Sequence, residues 1–229
     1  MPDNSEKAYL AELIRDFPPA NPVDLEVAWK DIQTRYTVLE QHIPQFLDFL
    51  RTSTSPFSHS FYVLCRSFHE YLFGGIIGNA GEFRKSNDPN MGFVAYGREV
   101  TRNPSTSQFS GSAPSFIVND LSQAFQFLKR EETDPIRASM RLYQRFVRIH
   151  PFYDGNGRVA RVLITLYLSY HGFYPLWKRL EETKKNEFLK KLNKCHLREE
   201  EMSFETYFGY LCNFWRNFII EKKDLIDLP

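Results

Sequence analysis

The chain has 229 residues, of which 42% are hydrophobic and 25% charged, the composition of an ordinary soluble globular protein with a sizeable core. Its 29 basic and 28 acidic residues leave a formal net charge of +1, so no bulk electrostatic field favours nucleic acid or a membrane as a partner. We therefore expect neither partner, and we expect one large domain or a core with helical additions.

The cysteines and the N-terminal segment predict the compartment. Cys65, Cys195 and Cys212 form no CxxC pair and are odd in number, which favours free thiols in a reducing compartment. The beginning of the chain, MPDNSEKAYLAELIRDF, is acidic and polar, unlike a signal peptide. The longest mostly apolar stretch, from Val159 to Tyr170, is shorter than the ~20 residues that span a bilayer. We expect a cytoplasmic protein, and export as an effector by a dedicated secretion system is compatible with the same sequence.

The N-terminal part of the chain consists of predicted helices separated by breaks. The Pro-rich segment DFPPANP, residues 16–22, ends a first segment, and Asp24 is placed as the N-cap of the helix that follows. Pro44 kinks or ends that helix. A second turn, TSTSPFSHS at 52–60, precedes a helical pattern from Phe61 to Phe73.

The pattern changes between residues 78 and 117. The segment GNAGEFRKSNDPN is loop-like, GFVAYGREV has the alternation of a short strand, and PSFIV is the candidate for its partner strand. Together these segments predict a small β-hairpin at about 92–117.

The C-terminal half is predicted to be helical. In TDPIRASMRLYQRFVRIH, Asp134 is placed to cap a helix that has Pro135 at its first position. The segment RVARVLITLYLSYHG predicts a buried helix ended by Gly172, and residues 176–229 predict two more amphipathic helices. Because strand content is small, the predicted fold class is all-α.

Nine residues between the two central helices read HPFYDGNGR. The N-terminus of the second helix leaves backbone N–H groups without carbonyl partners, and Gly155 and Gly157 let an anion approach the backbone. Asn156 tolerates a left-handed turn and offers an amide donor, while Arg158 and Arg161 lie on one face of the first helical turn. These features predict a cradle for phosphate.

Two further side chains of this segment suit phosphoryl or nucleotidyl transfer. Asp154 would repel phosphates unless a divalent cation bridges the two, and Mg²⁺ suits ligation by carboxylate plus phosphate. His150, with an ordinary pKa of roughly 6.5, is placed to take a proton from a hydroxyl nucleophile.

A purely structural role accounts for the segment only in part. A Gly/Asn helix–helix turn with a capping Asp accounts for each residue singly but not for the whole set. GNGRVA matches a relaxed dinucleotide-binding pattern, which requires a preceding strand, whereas a long helix precedes it here.

His69, outside the motif, is expected to be a surface histidine or a helix histidine with its hydrogen bonds satisfied.

The twelve residues HPFYDGNGRVAR, His150 to Arg161, resemble the signature of Fic-domain proteins, H-P-F-x-[D/E]-G-N-G-R-x-x-R, at every position. The resemblance covers about residues 60–172. It includes GNAGEFR, similar to an upstream Gly-x-x-Arg-like segment of such proteins, and the hairpin at 92–117, which would correspond to their flap. It implies a Fic-type helical fold, with an N-terminal helical extension at 1–59 and C-terminal helices at 173–229 packed on the core.

The same resemblance implies protein AMPylation, in which AMP passes from ATP to a Tyr, Thr or Ser hydroxyl of a target protein and pyrophosphate is released. It implies that His150 is the general base, that Asp154 holds Mg²⁺ and that Phe152 anchors the loop in the core. The residues implied in binding the nucleotide phosphates are Gly155, Asn156, Gly157, Arg158 and Arg161.

Within this resemblance two points stay open: which group is transferred, and how the transfer activity is inhibited. The signature does not specify the nucleoside, so transfer of UMP, GMP or phosphocholine stays an alternative, as does a non-catalytic nucleotide-binding interaction protein. Many Fic proteins carry an inhibitory [S/T]-x-x-x-E-[G/N] helix whose Glu pairs with the second Arg. The nearest match, Thr183 to Glu187, is followed by Phe188 and departs from the pattern. If the protein is inhibited, we therefore expect the inhibitor to be a separate antitoxin-like chain.

Overall fold

A computed structural model describes residues 4–85, 95–96, 109–199 and 201–223. Within these residues the chain forms nine α-helices: α1 Asn4–Asp16, α2 Leu25–Gln41, α3 Ile43–Thr52, α4 Phe57–Phe73, α5 Ile117–Phe125, α6 Pro135–Ile149, α7 Asn156–Tyr170, α8 Trp177–Leu197 and α9 Phe204–Arg216. The strands in the same residues are β1 Ala95–Tyr96, β2 Phe109–Ser110, β3 Phe173–Pro175 and β4 Ile219–Glu221. The predicted all-α class with a small antiparallel hairpin is confirmed.

The second strand of the hairpin is not the one that the sequence predicted. The antiparallel register of β1 and β2 places Ala95 opposite Ser110 and Tyr96 opposite Phe109. PSFIV, the predicted partner, instead forms a 3-10 turn at Pro114–Phe116 and the start of α5. Proline has no N–H for a strand ladder, and Ile117 and Leu121 are buried at helical spacing. Residues 92–94 and 97–108 of the predicted hairpin lie outside the described residues.

Two adjacent helices, α6 and α7, lie at the centre of the core. Within residues 159–169 of α7, every residue except Arg161 is buried. A helix that is apolar on nearly all sides must be enclosed, and α7 packs against α2, α3, α4, α6 and β3. This enclosure fixes the N-terminus of α7, where the HPFYDGNGR segment lies.

The segments before and after the central helices share the same core. One buried cluster contains Leu10 of α1, Ile32 of α2, Phe61 of α4, Leu163 of α7 and Trp215 of α9. β3 and β4 pair antiparallel and tie the end of α7 to the chain that follows α9. The predicted division of the chain at residues 60 and 172 stays a prediction.

Two further expectations concern the thiols and the membrane. Cys65, Cys195 and Cys212 are buried free thiols. Burial raises the pKa of Cys212 to about 11, so this thiol is protonated at neutral pH. None of the helices in the described ranges combines the length and the apolar character that a membrane crossing needs.

The start of α6 follows the sequence prediction closely. Asp134 accepts a hydrogen bond from the backbone N–H of Arg137 at 3.0 Å, and Pro135 occupies the first turn. The other carboxylate oxygen of Asp134 pairs with Arg216 of α9 at 2.5 Å. α6 is thereby capped at one end and carries His150 at the other.

We expect Asp134→Ala to lower the free energy of unfolding by about 1 kcal/mol, because the helix loses its cap. Asp134→Asn keeps an oxygen for the N–H of Arg137 and loses only a half-exposed ion pair, so it should lose less than about 0.5 kcal/mol. Urea denaturation followed by circular dichroism measures both variants. Equal losses would show that the ion pair to Arg216, and not the cap, stabilises this end of α6.

Candidate active site

The HPFYDGNGR segment connects α6 to α7 and bends sharply at both ends. His150 has a φ of 52° and Gly155 a φ of 72°, both in the left-handed region. Among the described residues other than glycine, only His150 has a positive φ. Such a conformation costs about 1 kcal/mol or more and persists where surrounding contacts enforce it.

Hydrogen-bond donors of the protein engage every backbone carbonyl oxygen of this loop. From Ile149 to Gly155 the donors are, in order, Ser112 N, Arg84 Nε, Arg84 N, Asn156 Nδ2, Tyr9 Oη, His69 Nε2 and Val159 N, at 2.7 to 3.2 Å. Buried carbonyls require such partners. With its carbonyl oxygens engaged, the loop presents the N–H groups of the α7 N-terminus to a ligand.

Arg84, in the GNAGEFR segment, makes most of these bonds at the end of α6. It is 2% exposed, and its Nε donates to the carbonyl oxygen of His150 at 2.7 Å. Its Nη2 donates to the carbonyl oxygen of Ser112 at 2.7 Å, which ties the chain after β2 to the loop. A guanidinium at a helix C-terminus is also favoured by the helix dipole.

The environment of His150 favours its neutral form. Burial and the nearby charge of Arg84 lower the pKa of His150 to about 4. Its Nδ1 lies 3.4 Å from the carbonyl oxygen of Val147. If Nδ1 carries the proton toward that oxygen, Nε2 holds the lone pair that a general base uses.

Gly155 and Gly157 are glycines for different reasons. At Gly155, where φ is positive, an added Cβ would lie 2.3 Å from Cε2 of Phe73. The fold therefore requires glycine there. At Gly157 an added Cβ would meet no atom within 4 Å. Glycine at 157 leaves open space beside the first turn of α7, which suits a ligand that approaches the backbone closely.

Phe152 and Asn156 hold the loop together from within. Phe152 is fully buried, and its ring stacks on that of His69 with 3.9 Å between centroids. Asn156 Oδ1 accepts from the N–H of Phe152 at 3.0 Å, and its Nδ2 donates to the carbonyl oxygen at 2.8 Å. At this end of the loop Gly155, and not Asn156, adopts the left-handed conformation. The Asn156 amide, which the sequence suggested as a donor to an anion, is instead bound to the loop. Asn156 can offer a ligand its backbone N–H.

Asp154 and Arg158 lie together at the mouth of the cradle. Asp154 Oδ1 accepts from the N–H of Gly155 at 2.6 Å, and Oδ2 is 3.9 Å from Arg158 Nη1. The Arg158 guanidinium lies over the ring of Trp29 in α2, 5.3 Å from its centroid. The Asp154 side chain is 26% exposed, so one carboxylate oxygen remains accessible to a ligand.

This arrangement fits a magnesium ion shared between protein and nucleotide. Within residues 4–85, 95–96, 109–199 and 201–223, no group of three or more His, Cys, Asp or Glu side chains is placed to hold a metal by itself. Mg²⁺ is commonly bound by one or two carboxylates together with substrate phosphates. Asp154, partly exposed beside the helix N-terminus, supplies such a carboxylate.

Arg161, the second arginine of the motif, is paired with a carboxylate of α8. Its Nη1 contacts Glu181, and its guanidinium lies 5.7 Å from the ring centroid of Trp177. Its Nε is buried and has no hydrogen-bond partner among the described residues. Burial lowers the pKa of Arg161, but Tyr143, Glu181 and Tyr36 together raise it above its usual value, so the side chain stays charged.

A second acid lies close to Arg161. Tyr36 and Glu40, one turn apart on α2, both interact electrostatically with Arg161. Burial raises the pKa of Glu40 above its ordinary value. The guanidinium that the motif assigns to phosphate thus faces carboxylates from two helices.

Glu187 is the glutamate of the segment that most resembles the inhibitory pattern, and it forms no ion pair with Arg161. It pairs with Lys184 at 3.3 Å and with Lys191 at 3.8 Å on the surface of α8. The carboxylate on Arg161 is Glu181, which the sequence did not single out because it lies in a mixed-charge helix.

Tyr9 was not singled out in the sequence, and His69 was expected to be a surface histidine or a helix histidine with its hydrogen bonds satisfied. His69 is buried in α4, and both of its ring nitrogens have hydrogen-bond partners. The Tyr9 hydroxyl donates to the carbonyl oxygen of Tyr153 at 2.8 Å, and the ring of Phe17 stacks on that of Tyr153 with 4.8 Å between centroids. His69 Nε2 lies 3.2 Å from the carbonyl oxygen of Asp154. The partners are 144 and 85 residues away, so no local signal marks either residue.

Comparison with known proteins shows what this loop is similar to. Residues 62–168 match the model of the Fic/DOC family. These residues make up a little under half of the chain and include the HPFYDGNGRVAR motif. A signalling protein with a Fic domain from Bacteroides thetaiotaomicron has a TM-score of 0.57 at 17% identity, covering 90% of this chain and 79% of its own. The N-terminal Fic domain of a translocated effector from Bartonella quintana, solved with bound ADP, has a TM-score of 0.50 at 15% identity, covering 86% and 89%.

Curated relatives share the Fic segment but are much longer proteins. The protein adenylyltransferase fic-1 of Caenorhabditis briggsae is 30% identical over 117 residues, which are 50% of this chain and 22% of that protein. Its Caenorhabditis elegans counterpart is 34% identical over 86 residues, 36% of this chain and 17% of that protein. The matched region thus spans about a fifth of each relative.

We expect Gly155→Ala and Gly157→Ala to differ in stability. Gly155→Ala forces a Cβ against Phe73 at positive φ and should lower the free energy of unfolding by more than about 2 kcal/mol. Gly157→Ala fills open space in a helix and should stay within about 1 kcal/mol of the parent chain. Thermal and urea denaturation measure both. A Gly157→Ala chain as unstable as Gly155→Ala would show that the fold itself needs glycine at 157.

Proposed function

We propose that this protein transfers AMP from ATP to a hydroxyl group of a target protein. The observation that carries the proposal is the N-terminus of α7, where open space beside Gly157 adjoins a neutral histidine, a partly exposed carboxylate and two arginines. An anion-binding helix N-terminus next to a base suits attack of a hydroxyl on a phosphate.

Six residues of the motif have a role in this reaction. The N–H groups at Asn156 and Gly157 bind phosphate oxygens of ATP, with Arg158 and Arg161 adding charge-assisted hydrogen bonds. His150 accepts the proton as the target hydroxyl oxygen bonds to the α-phosphorus. The bond from that phosphorus to the bridging oxygen breaks, and pyrophosphate leaves. Mg²⁺ bound at Asp154 would neutralise phosphate charge.

The comparisons support a nucleotide as the substrate. Two relatives in Caenorhabditis are named protein adenylyltransferases, and the Bartonella quintana Fic domain binds ADP. Transfer of UMP, GMP or phosphocholine would use the same cradle and the same base. A non-catalytic protein that only binds nucleotide would not require a neutral histidine at this position.

We expect label from α-labelled ATP, but not from γ-labelled ATP, to become bound to protein when the chain is incubated with Mg²⁺ and cell lysate. His150→Ala should lose at least about 100-fold in the transfer rate, because the base is removed. His171→Ala, at the far end of α7, is the matched control and should transfer like the parent chain. Label from the γ position would mean phosphorylation. If both the parent chain and His150→Ala bind nucleotide and neither transfers a group from ATP, UTP, GTP or CDP-choline, the result would favour the non-catalytic nucleotide-binding protein.

We expect Glu181→Gln to raise nucleotide affinity about 3- to 10-fold, since a neutral amide competes less with phosphate for Arg161 than a carboxylate does. Glu187→Gln, on the same helix but paired only with lysines, is the control and should leave affinity unchanged. Isothermal titration calorimetry with ATP measures both. Lower affinity in Glu181→Gln would mean that Glu181 orients Arg161 for phosphate, and inhibition would then be sought in a separate antitoxin-like chain.

A further inference from the structure

His69 of α4 is held by a hydrogen bond at each ring nitrogen. It is 2% exposed, and its Nδ1 accepts from the N–H of Gly81 at 2.9 Å. Because Nδ1 accepts, the proton of the neutral ring is on Nε2, which lies 3.2 Å from the carbonyl oxygen of Asp154. His69 therefore donates to Asp154.

Ring contacts fix His69 on both faces. Phe152 stacks on one face with 3.9 Å between centroids and 10° between planes, and Phe73 packs with 4.8 Å and 27°. Phe73 is also the residue that a Cβ at Gly155 would strike. The imidazole has little room to move relative to the loop.

The peptide group between Asp154 and Gly155 needs such a restraint. Glycine adopts positive and negative φ at similar cost, so this peptide plane can flip with little strain at Gly155. The carbonyl of this peptide is bound by His69, and its N–H is bound by Asp154 Oδ1 at 2.6 Å. A flip would break both hydrogen bonds and release the carboxylate from its position.

We propose that His69 is a positioning residue that holds the Asp154–Gly155 peptide in one orientation and thereby aims the Asp154 carboxylate. The proposal rests on the proposed function for its effect on transfer, but its effect on the peptide is independent of any activity. His69 itself is buried beneath the loop, so it acts on the site only through the Asp154–Gly155 peptide.

Two substitutions of His69 by amide side chains distinguish the roles of its two ring nitrogens. The amide of Gln reaches the place of Nε2 and can donate to Asp154, whereas the amide of Asn reaches the place of Nδ1 and can only accept from Gly81. Both lose the ring stack. We expect His69→Asn to lower the transfer rate at saturating ATP about 10- to 100-fold and to change the ATP dissociation constant less than about threefold. His69→Gln should retain the transfer rate within about threefold.

His196, also 2% exposed but on α8, where its Nδ1 lies 3.3 Å from Nε2 of Gln144 in α6, is the matched control. His196→Asn and His196→Gln should be destabilised similarly and should transfer at the parent rate per folded molecule. Equal losses in His69→Asn and His69→Gln, or full activity in a folded His69→Asn, would overturn the proposal. If His69→Asn does not fold, a folded His69→Gln that has lost transfer as completely as His150→Ala overturns it as well.

Hydrogen exchange separates this proposal from the proposed function. The N–H of Gly155 should exchange at least about threefold faster in His69→Asn than in His69→Gln or the parent chain, because the flipped peptide loses its bond to Asp154. This result is expected even if the protein transfers nothing. Unchanged exchange at Gly155 in His69→Asn would overturn the positioning role, whereas absent transfer with altered exchange would overturn only the proposed function.

Discussion

The candidate site depends on one hydrogen-bonding requirement. A loop that bends through left-handed conformations at His150 and Gly155 must find a donor for each carbonyl oxygen in between. The donors come from α1, α4, the segment at Arg84, Ser112 and α7 itself. Each buried carbonyl left without a donor would cost about 1–3 kcal/mol. The loop therefore has its functional shape only when distant parts of the chain have already packed around it.

The same hydrogen bonds also set the electrostatics. Arg84 binds the carbonyl oxygens at the end of α6, and burial, together with the charge of Arg84, lowers the pKa of His150 to about 4. A positive environment that stabilises phosphate at the start of α7 thus also favours the unprotonated imidazole. In the proposed reaction His150 must be unprotonated to act as the base, and this environment keeps it unprotonated beside the proposed phosphate site.

The sequence predicts what is local and misses what is distant. Helix periodicity, the Asp134 cap and the twelve-residue motif are short-range signals, and the helices that they predict are present. The partner strand predicted for the first hairpin strand was wrong, because strand pairing depends on residues far apart in the sequence. The segment predicted as that strand, which begins at Pro114, has a helix-forming pattern and forms a 3-10 turn and the start of α5 instead. The contacts of His69 and Glu181 depend on packing between helices, which no single segment encodes.

Several of these distant contacts come from outside the residues that match the Fic/DOC family. Tyr9 and Trp29 precede residues 62–168, and Glu181 follows them. These contacts have unequal consequences. Tyr9 and Trp29 support the loop and Arg158, whereas Glu181 occupies the guanidinium of Arg161. Trp177 donates to Thr165 of α7 at 3.0 Å and keeps the start of α8 in the core. Glu181 is itself 39% exposed, so its side chain can turn toward solvent and leave Arg161 while α8 stays packed.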